Sequence, residues 1–173
     1  DDGTIQVSED AGGSWRKAAA APGGPDTTQV ARLWPSSHDA NVAYAAFDGH
    51  MLGDMKPYVY RTSDLGRSWT AIRGDLPRRG TVYAIIDDPK DPNLLYAGTE
   101  FGVFISRNGG GSWTQLKGGL PTIQVRDLAI HEGDDDLVLA TFGRSFYVLD
   151  DLTALRGATA PVLARDAILP VER

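Results

Sequence analysis

Three copies of one eight-residue cassette punctuate the chain, and any fold it adopts has to seat all three alike. They are Ser8-Glu9-Asp10-Ala11-Gly12-Gly13-Ser14-Trp15, Thr62-Ser63-Asp64-Leu65-Gly66-Arg67-Ser68-Trp69 and Ser106-Arg107-Asn108-Gly109-Gly110-Gly111-Ser112-Trp113. The shared pattern is a hydroxyl, Asp or Asn two positions on, Gly two further, and Ser-Trp at the close. With ordinary residue usage such a match arises on the order of once per million start positions, so the copies form an internal repeat.

Each cassette follows a β-prone run (Thr4 to Val7, Tyr58 to Arg61, Val103 to Ile105), and its Trp leads into another. Asp, Asn and Gly between two such runs tolerate left-handed backbone and bond to nearby amides, which predicts a hairpin loop. The carboxylate or amide of Asp10, Asp64 and Asn108 should accept N–H bonds inside the turn. Trp15, Trp69 and Trp113 should fold onto the next hairpin and cover apolar surface. Ser8, Gly12, Ser14, Gly66, Ser68, Gly110 and Ser112 complete a set whose turn-forming duties account for their identities.

Between the cassettes the chain reads as short strands with almost no helix signal. The alanine run Ala18 to Ala21 is cut by Pro22-Gly23-Gly24-Pro25. Asn41-Val42-Ala43-Tyr44-Ala45 aligns with Asn93-Leu94-Leu95-Tyr96-Ala97, which fixes the register of the repeat. Val82 and Val125, which open successive repeats, lie 43 residues apart, the length of a propeller blade. The expected fold class is all-β: a β-propeller segment of about three and a half four-stranded blades. The segments are residues 1–21 as a half blade, 29–75 and 82–118 as blades, and 125–168 as a degenerate last blade with Val162 to Ile168 as its candidate outer strand.

The cassettes resemble the Asp-box, or BNR repeat, of sialidases, xyloglucan-degrading glycoside hydrolases and sortilin-type receptor domains. The first copy matches throughout; the second has Thr62 for the leading Ser and the third Asn108 for Asp. A decayed fourth copy can be placed at Leu149-Asp150-Asp151. Ala140 to Asp151 also looks like large bacterial sortilin-like BNR-repeat proteins labelled as glycosyl hydrolases. The resemblance implies a propeller fold and a periplasmic or secreted location.

Composition narrows the function classes. A net charge of −6 disfavours a grip on nucleic acid or an anionic membrane face, and no apolar run of 18 residues is present to span a bilayer. Cysteine is absent, which removes disulfides and thiolate chemistry. His38, His50 and His131 lack metal-ligand spacing, so neither a metal site nor a cofactor is expected. Asp134-Asp135-Asp136 reads as a solvated turn, and Arg73-Gly74-Asp75 as ordinary turn residues in a linker. The chain starts at Asp1 rather than Met, which suggests processing or truncation.

In propeller enzymes the ligand face lies opposite the Asp-boxes. The candidate loops there are the insertion Asp48 to Pro57, Glu100-Phe101-Gly102, Phe142-Gly143-Arg144, and the linkers Arg73 to Gly80 and Lys117 to Thr122. A long loop on a binding face carries function more often than not. Glu100, Asp48 and Asp54 are the acid/base candidates; His50, Lys56, Phe101 and Arg144 are candidate ligand contacts. The bland reading packs Met51, Leu52 and Met55 against a neighbour and pairs Glu100 with Arg144.

Two function classes follow. The favoured one is an extracytoplasmic binding or scaffold module, docking a protein partner or a second copy that completes the ring. The alternative is a glycoside hydrolase fragment with a carbohydrate ligand, which requires Glu100 and an acid of the insertion to converge in one cleft.

Overall fold

The computed structural model of the chain describes residues 2–24 and 28–158; the strand expected over Val162 to Ile168 lies outside them. Its first strands, β1 (Gln6–Val7) and β2 (Arg16–Lys17), form an antiparallel pair around the first cassette. A four-stranded antiparallel meander follows, made of β3 (Gln29–Pro35), β4 (Ala43–Asp48), β5 (Tyr58–Thr62) and β6 (Thr70–Ala71). A second meander holds β7 (Val82–Asp87), β8 (Leu95–Thr99), β9 (Gly102–Ser106) and β10 (Thr114–Leu116). The last sheet has three strands, β11 (Val125–His131), β12 (Asp136–Thr141) and β13 (Phe146–Leu149).

The sheets stack face to face, β7 lying against β3 and β4 of the sheet before it and β11 against β7 and β8. They are blades of a β-propeller segment. Each gap between blades holds its own apolar cluster: Ile5, Phe47, Tyr60 and Trp69 in the first, Val59, Ile72, Ile85 and Trp113 in the second, Ile86, Tyr96, Leu128 and Leu139 in the third. The sequence pattern follows from this sandwiching. Strands β7, β8 and β9 are buried at every residue and read as unbroken apolar runs, whereas β11 has an exposed face and alternates.

The cassettes share one hydrogen-bond pattern. The leading hydroxyl accepts the N–H of the cassette glycine: Gly12 to Ser8 Oγ at 2.7 Å, Gly66 to Thr62 Oγ1 at 2.8 Å, Gly110 to Ser106 Oγ at 2.8 Å. Asp10 and Asp64 each accept both the N–H and the hydroxyl of the closing serine, and these bonds pull both carboxyls down from 3.8 to about 2. Asn108 accepts the Ser112 N–H at 2.8 Å and turns its amide to donate to Ser112 Oγ at 3.0 Å, which explains how Asn serves in the third copy. Residues four and five of every copy are left-handed: Ala11 and Gly12, Leu65 and Gly66, Gly109 and Gly110.

Two of the three tryptophans pack, but onto the preceding blade and not onto the next hairpin. Trp69 joins Ala18 beyond β2, and Trp113 donates from its indole N–H to the Ile72 carbonyl beyond β6. The cassette glycine is the other half of the contact. A Cβ on Gly66 would stand 3.0 Å from the Ala18 Cβ, and one on Gly110 would stand 2.6 Å from the Ile72 Cβ. Trp15 departs from expectation and stays 62% exposed, because no earlier sheet among the described residues lies beside the first cassette.

Three further features differ from the sequence reading. Asp135 is not simply solvated: its carboxylate holds Lys90 at 2.6 Å and Arg156 at 3.0 Å. Asp75 of the Arg-Gly-Asp tripeptide caps the Trp113 N–H at 2.6 Å, and a Cβ on Gly74 would stand 2.6 Å from the Gly111 carbonyl and 2.9 Å from that of Gly110, so this turn is an inter-blade clasp. A short helix α1 (Thr153–Gly157) follows β13, started by Asp151 accepting the Thr153 N–H. Five residues are too few for helical periodicity to register in the sequence.

Seating of the cassette glycine can be measured. Gly110→Ala combines a left-handed backbone with a clash against Ile72 and should cost about 2 to 4 kcal/mol. Gly12→Ala meets nothing nearer than 3.9 Å and should cost about 1 to 2 kcal/mol from backbone strain alone. Urea unfolding of the two variants checks the order, and equal losses would remove the stacking contact as the cause.

Candidate functional site

The two ends of the sheet stack differ in construction. At one end the cassettes are tied to the first hairpin of their own blade, Leu65 N–H to the Asn41 carbonyl and Gly109 N–H to the Asn93 carbonyl, both at 3.0 Å. This end is braced by buried carboxylates. Asp87 accepts from the Trp34 indole, Ser36 Oγ, and the Ser37 N–H and Oγ, while Asp88 accepts from the Lys90 and Asp91 amides, Tyr96 and the Arg156 guanidinium. The other end carries the β4–β5, β8–β9 and β12–β13 connections and the linkers between blades. They are laced by Gly80 N–H to the Met55 carbonyl, Glu100 N–H to Thr81 and Phe142 N–H to Gln124.

At that second end the first strand of each blade carries the same irregularity. Pairing with its neighbour slips between Val30 and Arg32, between Val82 and Ala84, and between Val125 and Asp127. The residue left out of each ladder is Ala31, Tyr83 or Arg126. A bulge turns such a residue away from the pleat and re-aims its side chain. The outcome is a cluster: the Arg126 guanidinium lies 4.1 Å from the Tyr83 ring centroid and 5.6 Å from that of Phe142. Phe142 itself is 67% exposed.

Two sequence candidates act on Tyr83 through their charge. Burial raises the Tyr83 phenol, the Arg126 charge opposes that, and the charges of Asp48 and Glu100 add to it. Asp48 is buried and engaged: it accepts the His50 N–H at 3.0 Å and faces His50 Nδ1 at 2.7 Å. A carboxylate is acceptor-only, so neutral His50 carries its proton on Nδ1 and leaves Nε2 as an acceptor with no partner among the described residues. Glu100 is half-buried and has no hydrogen bond or ion pair from its side chain among the described residues.

Other candidates lie apart from this cluster or serve the scaffold. Asp54 accepts from Tyr58 at 2.7 Å and pairs with Lys56 at 3.3 Å; together with burial it pushes Tyr58 up to about 12. Phe101 fills the space beside Gly80, whose added Cβ would strike its ring at 2.9 Å, and its carbonyl accepts from Gln115. Arg144 is exposed on the β12–β13 turn, and it does not pair with Glu100. Met51 and Leu52 are exposed rather than packed. The insertion is held instead by Asp48, by the Leu52 and Asp54 amides on the Gly49 carbonyl, and by its tie to Gly80. Among the described residues no group of three acids or histidines could hold a metal ion.

Tyr83 and Arg126 were missed as site residues because each sits inside a strand, Tyr83 in an apolar run and Arg126 in an alternating one, and not in a loop. Their common signal is positional: each immediately follows the valine that opens its repeat, where the first repeat has Ala31.

No family model matches the chain. Over 126 residues it is 32% identical to a xyloglucanase of Paenibacillus sp, a match covering 72% of this chain and 11% of that protein. The chain thus spans about a tenth of that relative's length. Among solved structures it resembles the GH74 xyloglucanase of Xanthomonas campestris with a TM-score of 0.63 and 15% identity, over 85% of this chain and 25% of the other. It also resembles YCF48 bound to D1 peptide, with a TM-score of 0.61 and 16% identity, over 86% and 45%. These structural likenesses establish the propeller fold.

The Asp48–His50 contact makes a specific demand on the ring. Nitrogen-15 shifts of His50 above its titration should report an Nδ1-protonated tautomer, and Asp48→Asn should shift the population toward the Nε2-protonated form. An Nε2-protonated ring in the unaltered chain would refute the contact.

Proposed function

We propose that the chain is a segment of an Asp-box β-propeller of the xyloglucanase type, and that its bulge cluster binds a neutral polysaccharide. The observation that carries this is the repeated bulge, which delivers Tyr83 and Arg126 to one spot beneath exposed Phe142. An exposed aromatic face suits the CH face of a sugar ring, while Arg126, Glu100 and His50 Nε2 offer donors and acceptors to its hydroxyls. The relation to a xyloglucanase over 72% of the chain supports the choice of ligand.

Binding is better supported than hydrolysis by these residues alone. Glycoside cleavage uses two carboxylates about 5 to 10 Å apart across the scissile bond. Of the three acids in question, Asp48 is engaged with His50 and Asp54 with Tyr58 and Lys56, which leaves Glu100 as the one without a side-chain partner among the described residues. Because plant-type polysaccharide lies outside cells, this reading puts the chain in the periplasm or the medium.

A second reading, docking of a protein partner or a second copy, is favoured by a separate feature. Trp15 is exposed in a groove of about 270 Å³ that it lines with Ile5, Val7, Leu33, Val42 and Trp69, between a two-stranded sheet and the four-stranded sheet beside it. Covering that groove would supply Trp15 with the packing that Trp69 and Trp113 already have.

Affinity electrophoresis in xyloglucan gels tests the first reading. The full chain should be retarded, and Arg126→Ala or Phe142→Ala should each weaken binding about tenfold, equivalent to about 1.4 kcal/mol. Unretarded migration would end it. For the second reading, sedimentation should show self-association that Trp15→Ser abolishes, and a monomer unaffected by concentration would exclude the second copy.

A further inference from the structure

A separate cleft lies on the outer flank of the β3–β6 blade. Its volume is about 540 Å³, within the range of small-ligand sites, which runs from about 300 to 1,000 Å³. It lies where β6, paired with β5 at Tyr60 and Arg61, makes a last bond from the Ile72 N–H to the Val59 carbonyl and the chain leaves the sheet. Pro22 and Pro57 form walls, with Tyr58 and Tyr60 between them. Lys56, Arg73 and Arg78 project around it, and no acidic residue lines it among the described residues.

The charge balance of the cleft is unusual for this chain. The protein has 23 acidic against 17 basic residues, and Arg16, Arg32, Arg67 and Arg156 each hold a carboxylate. Arg73 and Arg78 hold none among the described residues. Among the described residues Lys56 is the one cation of the three that is offset, by Asp54 behind Tyr58. Both phenols already donate, Tyr58 to Asp54 and Tyr60 to the Pro22 carbonyl at 3.1 Å, so each presents a lone pair to an incoming hydroxyl.

We infer that this cleft is a binding site for an oligosaccharide bearing carboxylate groups, with Arg73 and Arg78 gripping a carboxylate and the two tyrosine oxygens accepting from ring hydroxyls. A guanidinium meets a carboxylate through two parallel hydrogen bonds, a match that Lys does not reproduce. An extended acidic peptide fits less well. Strand addition needs a row of free backbone groups, and β6 together with the Ile72 N–H on the Val59 carbonyl already occupies the edge as far as Val59. The site shares no residue with the Tyr83 cluster and does not depend on how that cluster is used.

Calorimetric titration of the full chain with trigalacturonate tests it, against the methyl-esterified trimer and a tri-aspartate peptide. Trigalacturonate should bind, and the neutral ester, or R73Q/R78Q as protein, should weaken the interaction by at least about tenfold. R73K/R78K, which keeps the charges and loses the fork, should fall between, and added salt should weaken binding. Both arginines are exposed, so melting temperatures should stay within about 2 °C of the parent. Arg126→Ala should leave trigalacturonate binding unchanged, which separates this site from the loop-face reading. Absence of trigalacturonate binding, equal affinity for the ester, indifference to R73Q/R78Q, or tighter binding of tri-aspartate would each overturn the inference.

Discussion

Everything in this fold depends on one sheet face finding another. A blade such as β7–β10 is apolar on both sides, with Leu94, Leu95, Tyr96 and Val103 wholly buried, and burial at roughly 25 cal/mol per Å² is what offsets the entropy of ordering it. The close approach is set by residues that remove bulk. Gly66 and Gly110 let a cassette touch the outer strand of the blade before it, and Gly98 does the same at the next gap, where an added Cβ would stand 2.9 Å from the Val125 carbonyl. The cassette can lie against a neighbour because its own polar groups are already satisfied by Ser, Thr, Asp and Asn within the loop.

Stacking alone would let flat sheets slide, and the buried carboxylates at the cassette end oppose this. Asp87 and Asp88 are almost fully enclosed, a costly location for charge that is offset here by hydrogen bonds from several elements at once. Asp87 ties β7 to Trp34 and to the Ser36-Ser37 turn of the preceding blade, while Asp88 ties the β7–β8 hairpin to Arg156 of α1. Directional bonds of this kind specify register more than they add stability. They sit at the end opposite the bulges, so one end of the stack is clamped while the other is left to loops.

The parts legible in the sequence are those that repeat. Each cassette encodes its turn locally, through a hydroxyl, an Asx residue and a glycine at fixed offsets, and the aligned Asn41 to Ala45 and Asn93 to Ala97 runs mark the same hairpin in two blades. Contacts formed between repeats were not legible. That Trp69 packs backward onto Ala18, that Asp75 caps Trp113, or that Asp135 reaches Lys90 and Arg156, depends on which segments become neighbours. Trp15 shows the limit most plainly: identical cassette chemistry leaves it exposed, since burial belongs to the neighbour and not to the motif. For the candidate site, Asp48, His50 and Glu100 stood out as polar loop residues, whereas Tyr83 and Arg126 were hidden in strands whose pairing slips by one.

That slip also explains why the same backbone position carries such different chemistry. In a regular strand of a sandwiched blade successive side chains are committed alternately to the two blade interfaces, and changing one costs packing on a neighbour. A bulged residue stands outside the alternation, so Ala31, Tyr83 and Arg126 can differ completely while Val30, Val82 and Val125 beside them stay the same. The repeat thus separates two jobs along a few residues of one strand. Valine and the cassette hold the blade to its neighbours, while the bulge offers each blade one side chain to spend on the loop face. Differences between repeats at this position are therefore free of the packing limits that hold elsewhere in the strands, and Tyr83 with Arg126 is the pair this chain has placed there.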